Sequence, residues 1–189
     1  ASDVYKRQVV ASSDWREDYE IIACPNTLPP RTLPFGFAGN AVGASTAHVY
    51  GVAAGDLDRD GDLDIVSAST SNEDYEVIAW QNGGAPFEGL WAQNDVGASD
   101  ASLYYVAVGD LDNDGDLDVV SAGSQGSSYE LVAWRNDRPS TFSGTWTSNN
   151  VGISPRSVWE VRLGDLDNDG DLDIVSAIDS GTGYEICLL

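Results

Sequence analysis

Short apolar runs separated by turns rich in Gly, Ser and Asp extend along the whole chain. Runs such as Ile65-Val66 and Val119-Val120 consist of β-branched residues, which favour strands. No segment shows a helical apolar period over about ten residues or more. The pattern therefore predicts an all-β protein built from short strands.

The sequence also repeats with a period of about 55 residues. The stretch 55–68 (GDLDRDGDLDIVSA) returns at 109–122 (GDLDNDGDLDVVSA) and at 164–177 (GDLDNDGDLDIVSA). Tyr-Glu pairs recur at matching offsets, and Tyr50, Tyr104 and Trp159 align. A period of this size indicates a solenoid, a propeller or an array.

Each repeat is predicted to contain four strands. In the second complete repeat they are expected at 103–108, 117–122, 129–135 and about 145–151, with the Asp-rich loop between the first and the second. Four antiparallel strands in tandem are typical of a β-propeller blade. A β-sandwich also has many short strands, but it does not require identity at a fixed period.

The Asp-rich loops predict cation sites. Five aspartates fall within nine residues, and at about 4 Å each like-charged pair costs roughly 1 kcal/mol in water. Aspartates at positions 1, 3 and 5, with Gly at position 6, are the pattern of a calcium loop, in which position 7 offers its backbone carbonyl and position 9 closes the site. Magnesium suits the loop less, because it demands tighter octahedral geometry. The predicted ligands, for one calcium ion per loop and three in all, are Asp56, Asp58, Asp60, Asp62 and Asp64; Asp110, Asp112, Asp114, Asp116 and Asp118; and Asp165, Asp167, Asp169, Asp171 and Asp173.

Two other interpretations, an EF-hand and a solvated turn, fit these loops less well than a calcium site does. An EF-hand needs Glu at position 12 and a helix on either side, whereas position 12 here is serine and strand residues follow. Solvated Asp-Gly turns would explain a single loop, because both residues favour turns locally. Three copies that keep all five carboxylates favour a metal site.

The run GDLDxDGDLDIVSA, followed by Ala79-Trp80-Gln81-Asn82 and Ala133-Trp134-Arg135-Asn136, resembles the FG-GAP/VCBS repeat family. The resemblance implies a β-propeller like that of integrin α-subunits, with calcium between the first two strands of a blade, in an extracellular or cell-surface protein. The strict signature is absent, since Phe35-Gly36 and Gly84-Ala85-Pro86 match only fragments of it.

The repeat predicts about three and a half blades, whereas closed propellers typically have 4–8. The chain is therefore interpreted as a fragment of a larger propeller. The expected divisions are a non-native leader at 1–8, a partial blade at 9–45, blades with calcium loops at 46–98 and 99–153, and a partial blade with a calcium loop at 154–189.

The net charge of −22 argues against nucleic acid and against anionic membrane surfaces as partners. No apolar run approaches the ~20 residues of a membrane-spanning helix, so no membrane insertion is expected. Weak calcium loops suit the millimolar calcium outside cells. These features predict an extracellular or cell-surface location.

The sequence offers no catalytic constellation. His48 is the single histidine and aligns with serines in the other repeats, which argues against a catalytic triad or a zinc site. We therefore predict no enzyme activity and a role in binding or adhesion to a protein or a glycan. The alternatives are a non-catalytic ancillary domain of an extracellular carbohydrate-active enzyme and a structural spacer. The repeated tryptophans are expected to pack between blades, because aromatic residues at equivalent repeat positions usually belong to the core. The less favoured alternative is that an exposed minority stacks on sugar rings or on a partner protein.

Overall fold

The computed structural model describes residues 8–12, 19–24, 40–45, 47–70, 75–86, 88, 90–99, 102–124, 129–137, 141–144, 146–154, 157–179 and 182–189. These residues form strands and contain no helix. The strands are β1 Gln8–Ser12, β2 Tyr19–Cys24, β3 Asn40–Ser45, β4 His48–Gly55, β5 Asp64–Thr70, β6 Tyr75–Gln81, β7 Ala92–Ser99, β8 Ser102–Gly109, β9 Asp118–Ser124, β10 Tyr129–Arg135, β11 Thr147–Ser154, β12 Val158–Gly164, β13 Asp173–Asp179 and β14 Tyr184–Leu188.

The strands form four sheets that follow one another along the chain. Two sheets have four strands, in the orders β4-β5-β6-β7 and β8-β9-β10-β11, and two have three, β1-β2-β3 and β12-β13-β14. Every pairing is antiparallel between strands that are consecutive in sequence. The all-β prediction and the tandem blades of propeller type are confirmed.

The predicted strands of the second complete repeat correspond to β8, β9, β10 and β11. The bounds of β10 are as predicted, and the ends of the other three strands differ by one to three residues. The largest difference is at β11, which ends three residues later than expected. Leu117 was expected in the second strand but precedes β9, and its side chain reaches across to Gly55 of the preceding sheet. Leu117 is therefore a loop residue that packs between two sheets.

The expected leader, 1–8, lies outside the described residues except for Gln8, the first residue of β1. The other boundaries proposed for the blades stay predictions.

The second strand of each complete sheet is buried on both faces. All residues of β5 and β9 are buried except the last, Thr70 in β5 and Ser124 in β9. The repeated sequence Ile/Val-Val-Ser-Ala suits this position, because small and β-branched residues fit between sheets that approach from both sides. The first strand β4, by contrast, mixes buried, half-buried and exposed positions.

Adjacent sheets are joined by tryptophan side chains that pack against glycine. The Trp80 ring covers Gly43 of β3, and the Trp134 ring covers Gly97 of β7 in the same way. Each indole Nε1–H donates to a buried serine hydroxyl at 2.8 Å, so the rings are fixed in their pockets. One backbone bond also repeats between the sheets, at 2.8 Å in each case. It joins Trp91 N–H to the Val42 carbonyl and Trp146 N–H to the Val96 carbonyl.

We predict that Gly97→Ala destabilises the chain by about 1–3 kcal/mol, because the added methyl overpacks a tight contact. A Cβ built on Gly97 overlaps the Trp134 ring and lies 2.7 Å from its Cε3 atom. Chemical denaturation measures the loss. Gly83→Ala is the matched control, since a Cβ there meets nothing within 4 Å. Equal stability of the two variants would contradict the packing role of Gly97.

Candidate metal sites

Each Asp-rich loop joins the first strand of a sheet to the second and turns sharply. At position 4 the backbone is left-handed in all three loops, with φ of 60° at Arg59, 58° at Asn113 and 63° at Asn168. Glycine at position 6 is left-handed too, with φ between 89° and 100°. Asparagine and glycine tolerate this region, whereas arginine adopts it rarely. The loops therefore share one folded shape that the sequence repeat encodes.

This shape brings the carboxylates of positions 1, 3 and 9 together. In every loop one oxygen from each of the three lies within 4.8 Å of the other two. Among the described residues, these are the groups of acidic, histidine or cysteine side chains that could share a metal ion. They are Asp56, Asp58 and Asp64; Asp110, Asp112 and Asp118; and Asp165, Asp167 and Asp173.

The position 1 carboxylate leaves one oxygen without a protein partner. Asp56 Oδ2 accepts the Gly61 N–H at 3.0 Å, while Asp56 Oδ1 is buried and accepts no hydrogen bond. Asp110 repeats the arrangement, with Oδ2 bonded to Gly115 N–H at 2.9 Å and Oδ1 buried without a partner. Buried acceptors are rarely left unpaired, because the loss of solvation costs about 1–3 kcal/mol. A cation held by these oxygens would satisfy them, so the donor set fits a hard metal ion.

Position 9 anchors the loop to the end of the third strand. Asp64 is fully buried, and its two oxygens accept the backbone N–H groups of Leu57 and Asn82, each at 2.9 Å. Burial, together with the smaller effect of the charges of Asp58 and Asp60, raises the pKa of Asp64 to about 7, although the two amide donors oppose the shift.

The second loop has the same anchor. Asp118 accepts the N–H groups of Leu111 at 2.9 Å and Asn136 at 2.8 Å, and burial raises its pKa as well. In the third loop Asp173 accepts the Leu166 N–H at 2.8 Å. The position 9 carboxylate thus holds the fold together and also lies in the candidate site.

The aspartates at positions 5 and 7 lie outside these three-residue groups. The position 5 carboxylate accepts the N–H of position 7, at 2.8–2.9 Å in the three loops. The position 7 carboxylate of two loops faces the preceding loop, with Asp116 against Arg59 and Asp171 against Asn113. The ligand roles predicted for the position 5 carboxylate and for the position 7 carbonyl stay predictions.

The end of the third strand supplies residues that the sequence alone did not assign to the loop. Gln81 Nε2 donates to Asp58 Oδ2 at 2.7 Å, and the aligned Arg135 lies 3.9 Å from Asp112 Oδ2. The side-chain amide of Asn82 donates to the Leu63 carbonyl at 3.2 Å. The repeated Ala-Trp-x-Asn motif was the available signal, because its final Asn recurs together with the loop.

A row of three aromatic side chains, two exposed and one half-buried, lies at the other end of the first strands. Tyr50, Tyr104 and Trp159 each lie at a β-bulge, where the pairing of the first strand with the second shifts register. Ring centroids are 5.3 Å apart for Tyr50 and Tyr104 and 6.3 Å apart for Tyr104 and Trp159. Tyr50 is 54% exposed and Trp159 46%. We call these three residues the aromatic row.

The aromatic row and the metal loops are separated along the strand. Tyr50 lies near the start of β4, and the loop begins after Gly55, about 17 Å further along an extended strand.

His48 is exposed and stacks on Tyr50 with ring centroids 6.0 Å apart. Trp80, Trp134 and Trp146 are buried between sheets. Trp159 is therefore the tryptophan most available to a partner among the described residues.

The described residues contain no helix of the length and apolar character needed to cross a membrane.

No curated protein matches the chain. A family model for FG-GAP-like repeats matches residues 56–121 and again residues 110–176. Each match runs from the first aspartate of one loop to the strand that follows the next loop, and together the two cover more than half of the chain. Such repeats occur in extracellular proteins and are generally structural or binding modules rather than catalytic ones. The chain therefore belongs to the FG-GAP-like repeat family, as its sequence predicted.

Proposed function

We propose that this chain is a calcium-binding module of a secreted or cell-surface protein and that it acts in recognition or adhesion. The observation that carries the calcium assignment is the loop geometry. Carboxylates from positions 1, 3 and 9 converge in all three loops, and the buried Oδ1 atoms of Asp56 and Asp110 have no protein partner. Carboxylate oxygens are the ligands that calcium prefers, with water and backbone carbonyls completing its coordination.

Electrostatics support the same assignment. Each loop concentrates five aspartates, and the whole chain has a net charge of −22. A divalent ion in each loop would relieve repulsion between carboxylates that the fold holds close together. Since the ion would bind the folded loop, its binding energy would add to the stability of the blade.

The recognition role is supported by the aromatic row. Tyrosine and tryptophan are enriched at interfaces, because they combine a large apolar surface with a polar group. The row spans three successive sheets, so one ligand could contact several blades at once. A protein or a glycan is the proposed partner, and no catalytic activity is proposed.

A second candidate function is that of an ancillary domain beside the catalytic domain of an extracellular carbohydrate-active enzyme. The exposed rings of Tyr50 and Trp159 favour it, because aromatic rings can stack against sugar rings. In that case the chain would bind the polysaccharide without cleaving it. A chain that binds nothing would instead be a structural spacer.

We predict that calcium raises the melting temperature and that chelation lowers it. A ligand specific for the folded state adds about 2.7 kcal/mol at 100 times its dissociation constant. Calorimetric titration should give three calcium ions per chain. An unchanged melting temperature in chelator, combined with no calcium uptake, would refute the metal assignment.

Asp112→Ala should reduce the stoichiometry from three ions to two, because it removes one carboxylate from the second loop alone. Asp95→Ala is the matched control, since Asp95 is exposed on β7 outside the loops. Loss of all three ions in folded Asp112→Ala would mean that the loops form one shared cluster.

We predict that the stability of the chelated protein falls as the pH rises from about 4 to about 7. The folded Asp64 has a pKa of about 7, against 3.8 for an ordinary aspartate, so the folded chain binds more protons than the unfolded chain in this window. Unfolding is therefore favoured as the pH rises. Saturating calcium should reduce this slope, because the ion replaces the proton.

Melting temperatures measured between pH 4 and pH 8, with chelator and with calcium, test this prediction. Asp64→Asn should reduce the slope in chelator, because it removes the group whose pKa is raised. A chelated protein that becomes more stable as the pH rises through this window would contradict the prediction.

We predict that the calcium-loaded chain binds a member of a glycan array or a panel of extracellular matrix proteins through the aromatic row. Replacing Tyr50 and Trp159 together by Ala should weaken this binding at least about tenfold, as expected for aromatic residues that become buried when the ligand binds. Calcium uptake should be unchanged. Leu90→Ala is the control, because Leu90 is 77% exposed and lies outside the row. Cleavage of a polysaccharide by the chain would overturn the binding role, and absence of all binding would favour the spacer.

A further inference from the structure

The first metal loop contacts the second through one side chain. Arg59, at position 4 of the first loop, donates from Nε to the Gly115 carbonyl at 3.0 Å and from an Nη2–H to the Asp114 carbonyl at 3.1 Å. The same guanidinium lies 3.0 Å from Asp116 Oδ1. The left-handed backbone at position 4 directs the side chain out of its own loop toward the next sheet. Arg59 is thus covalently part of one loop and ion-paired with another.

A second arginine lies against the same loop. Arg135, at the end of β10, is 3.9 Å from Asp112 Oδ2 and also pairs with Asp137. The aligned residue beside the first loop is the neutral Gln81, which donates to Asp58 at 2.7 Å. At the interface between the second and third loops, the residue aligned with Arg59 is the neutral Asn113, which donates to Asp171 Oδ1 at 2.5 Å.

The second loop therefore has two cationic neighbours. At the position of Arg59 the third loop has the neutral amide of Asn113, and at the position of Arg135 the first loop has that of Gln81. Its five carboxylates carry a formal charge of about −5 when no ion is bound, and a calcium ion would change this to about −3. A guanidinium beside the loop is attracted more strongly to the first state than to the second. By linkage, each arginine must then weaken calcium binding by the same factor by which calcium weakens the arginine contact.

We propose that Arg59 and Arg135 weaken calcium binding at the second loop, compared with the same loop flanked by neutral amides. The proposal rests on the calcium-binding function proposed above. Arg59 acts across the interface on the second loop, since its described ion pair is with Asp116 and not with an aspartate of its own loop. Both arginine side chains are about half exposed, at 53% and 52%, so each effect is modest and depends on salt.

The chain itself supplies the matched substitutions. Arg59→Asn gives the second loop the neighbour that the third loop has in Asn113, and Arg135→Gln gives it the neighbour that the first loop has in Gln81. Each should tighten one of the three calcium sites by about fivefold, equivalent to roughly 1 kcal/mol, and the gain should shrink at high salt. The reciprocal variants Asn113→Arg and Gln81→Arg should weaken the third and the first site, respectively, by a similar factor. Calorimetric titration at two salt concentrations measures these changes.

A double-mutant cycle identifies the affected site. In an Asp112→Ala background, which removes the second site, Arg59→Asn and Arg135→Gln should leave the affinity of the two remaining sites nearly unchanged. Arg162→Gln is the charge-matched control, because Arg162 pairs with Glu160 on β12 and should not alter the second site. The proposal is overturned if neither substitution tightens a site, or if the gain persists in the Asp112→Ala background.

Melting in chelator provides a readout that does not need calcium. Arg59→Asn and Arg135→Gln should lower the melting temperature there by more than they do in saturating calcium, because each arginine relieves repulsion among the carboxylates. If the wild-type chain takes up no calcium, the proposed function fails, yet both variants should still melt earlier in chelator. If both variants melt at the wild-type temperature in chelator, the arginine contacts do not stabilise the ion-free loop and the present proposal fails.

Discussion

The buried carboxylate at position 9 is the interaction on which both the fold and the candidate site depend. Asp64 and Asp118 each accept one N–H from the loop and one from the end of the third strand. A hydrophobic residue at this position would leave those two amides unpaired, and unpaired buried donors are costly. The same carboxylate lies beside the aspartates of positions 1 and 3, close enough to share a cation with them. The hydrogen bonds that close the loop thus also assemble the candidate metal site.

Packing between sheets determines how close the loops come to one another. The rings of Trp80 and Trp134 lie directly on glycines of the preceding sheet, so successive sheets can approach to the distance of backbone against ring. Leu117 makes a similar contact on Gly55 at the loop end of the sheets. With the sheets this close, a side chain at position 4 of one loop reaches position 7 of the next. Contact between neighbouring loops is therefore a consequence of the repeat packing and not of any single loop.

The sequence predicted the features that depend on local pattern. The repeat identified the four strands per unit, and the aspartate spacing identified the carboxylates that converge at positions 1, 3 and 9. It did not predict the partners of Asp116, because Arg59 lies in the preceding repeat and the contact depends on how two sheets are placed. The role of Asn82 was missed for a related reason. Its backbone N–H bonds to Asp64 across the sheet, and a sequence motif does not specify such a backbone bond.

The positions of the two candidate surfaces suggest how calcium and recognition are related. The metal loops follow the last residue of each first strand, while the aromatic row lies near the start of the same strands, about 17 Å away. A calcium ion in the first loop would lie about 17 Å from Tyr50, too far to coordinate a group that stacks on that ring. Its influence must pass through the strand, whose pairing with β5 is continuous from Gly51 to Gly55. Calcium would therefore support recognition by keeping the blades folded and correctly placed against each other, and the aromatic row would determine which ligand is bound.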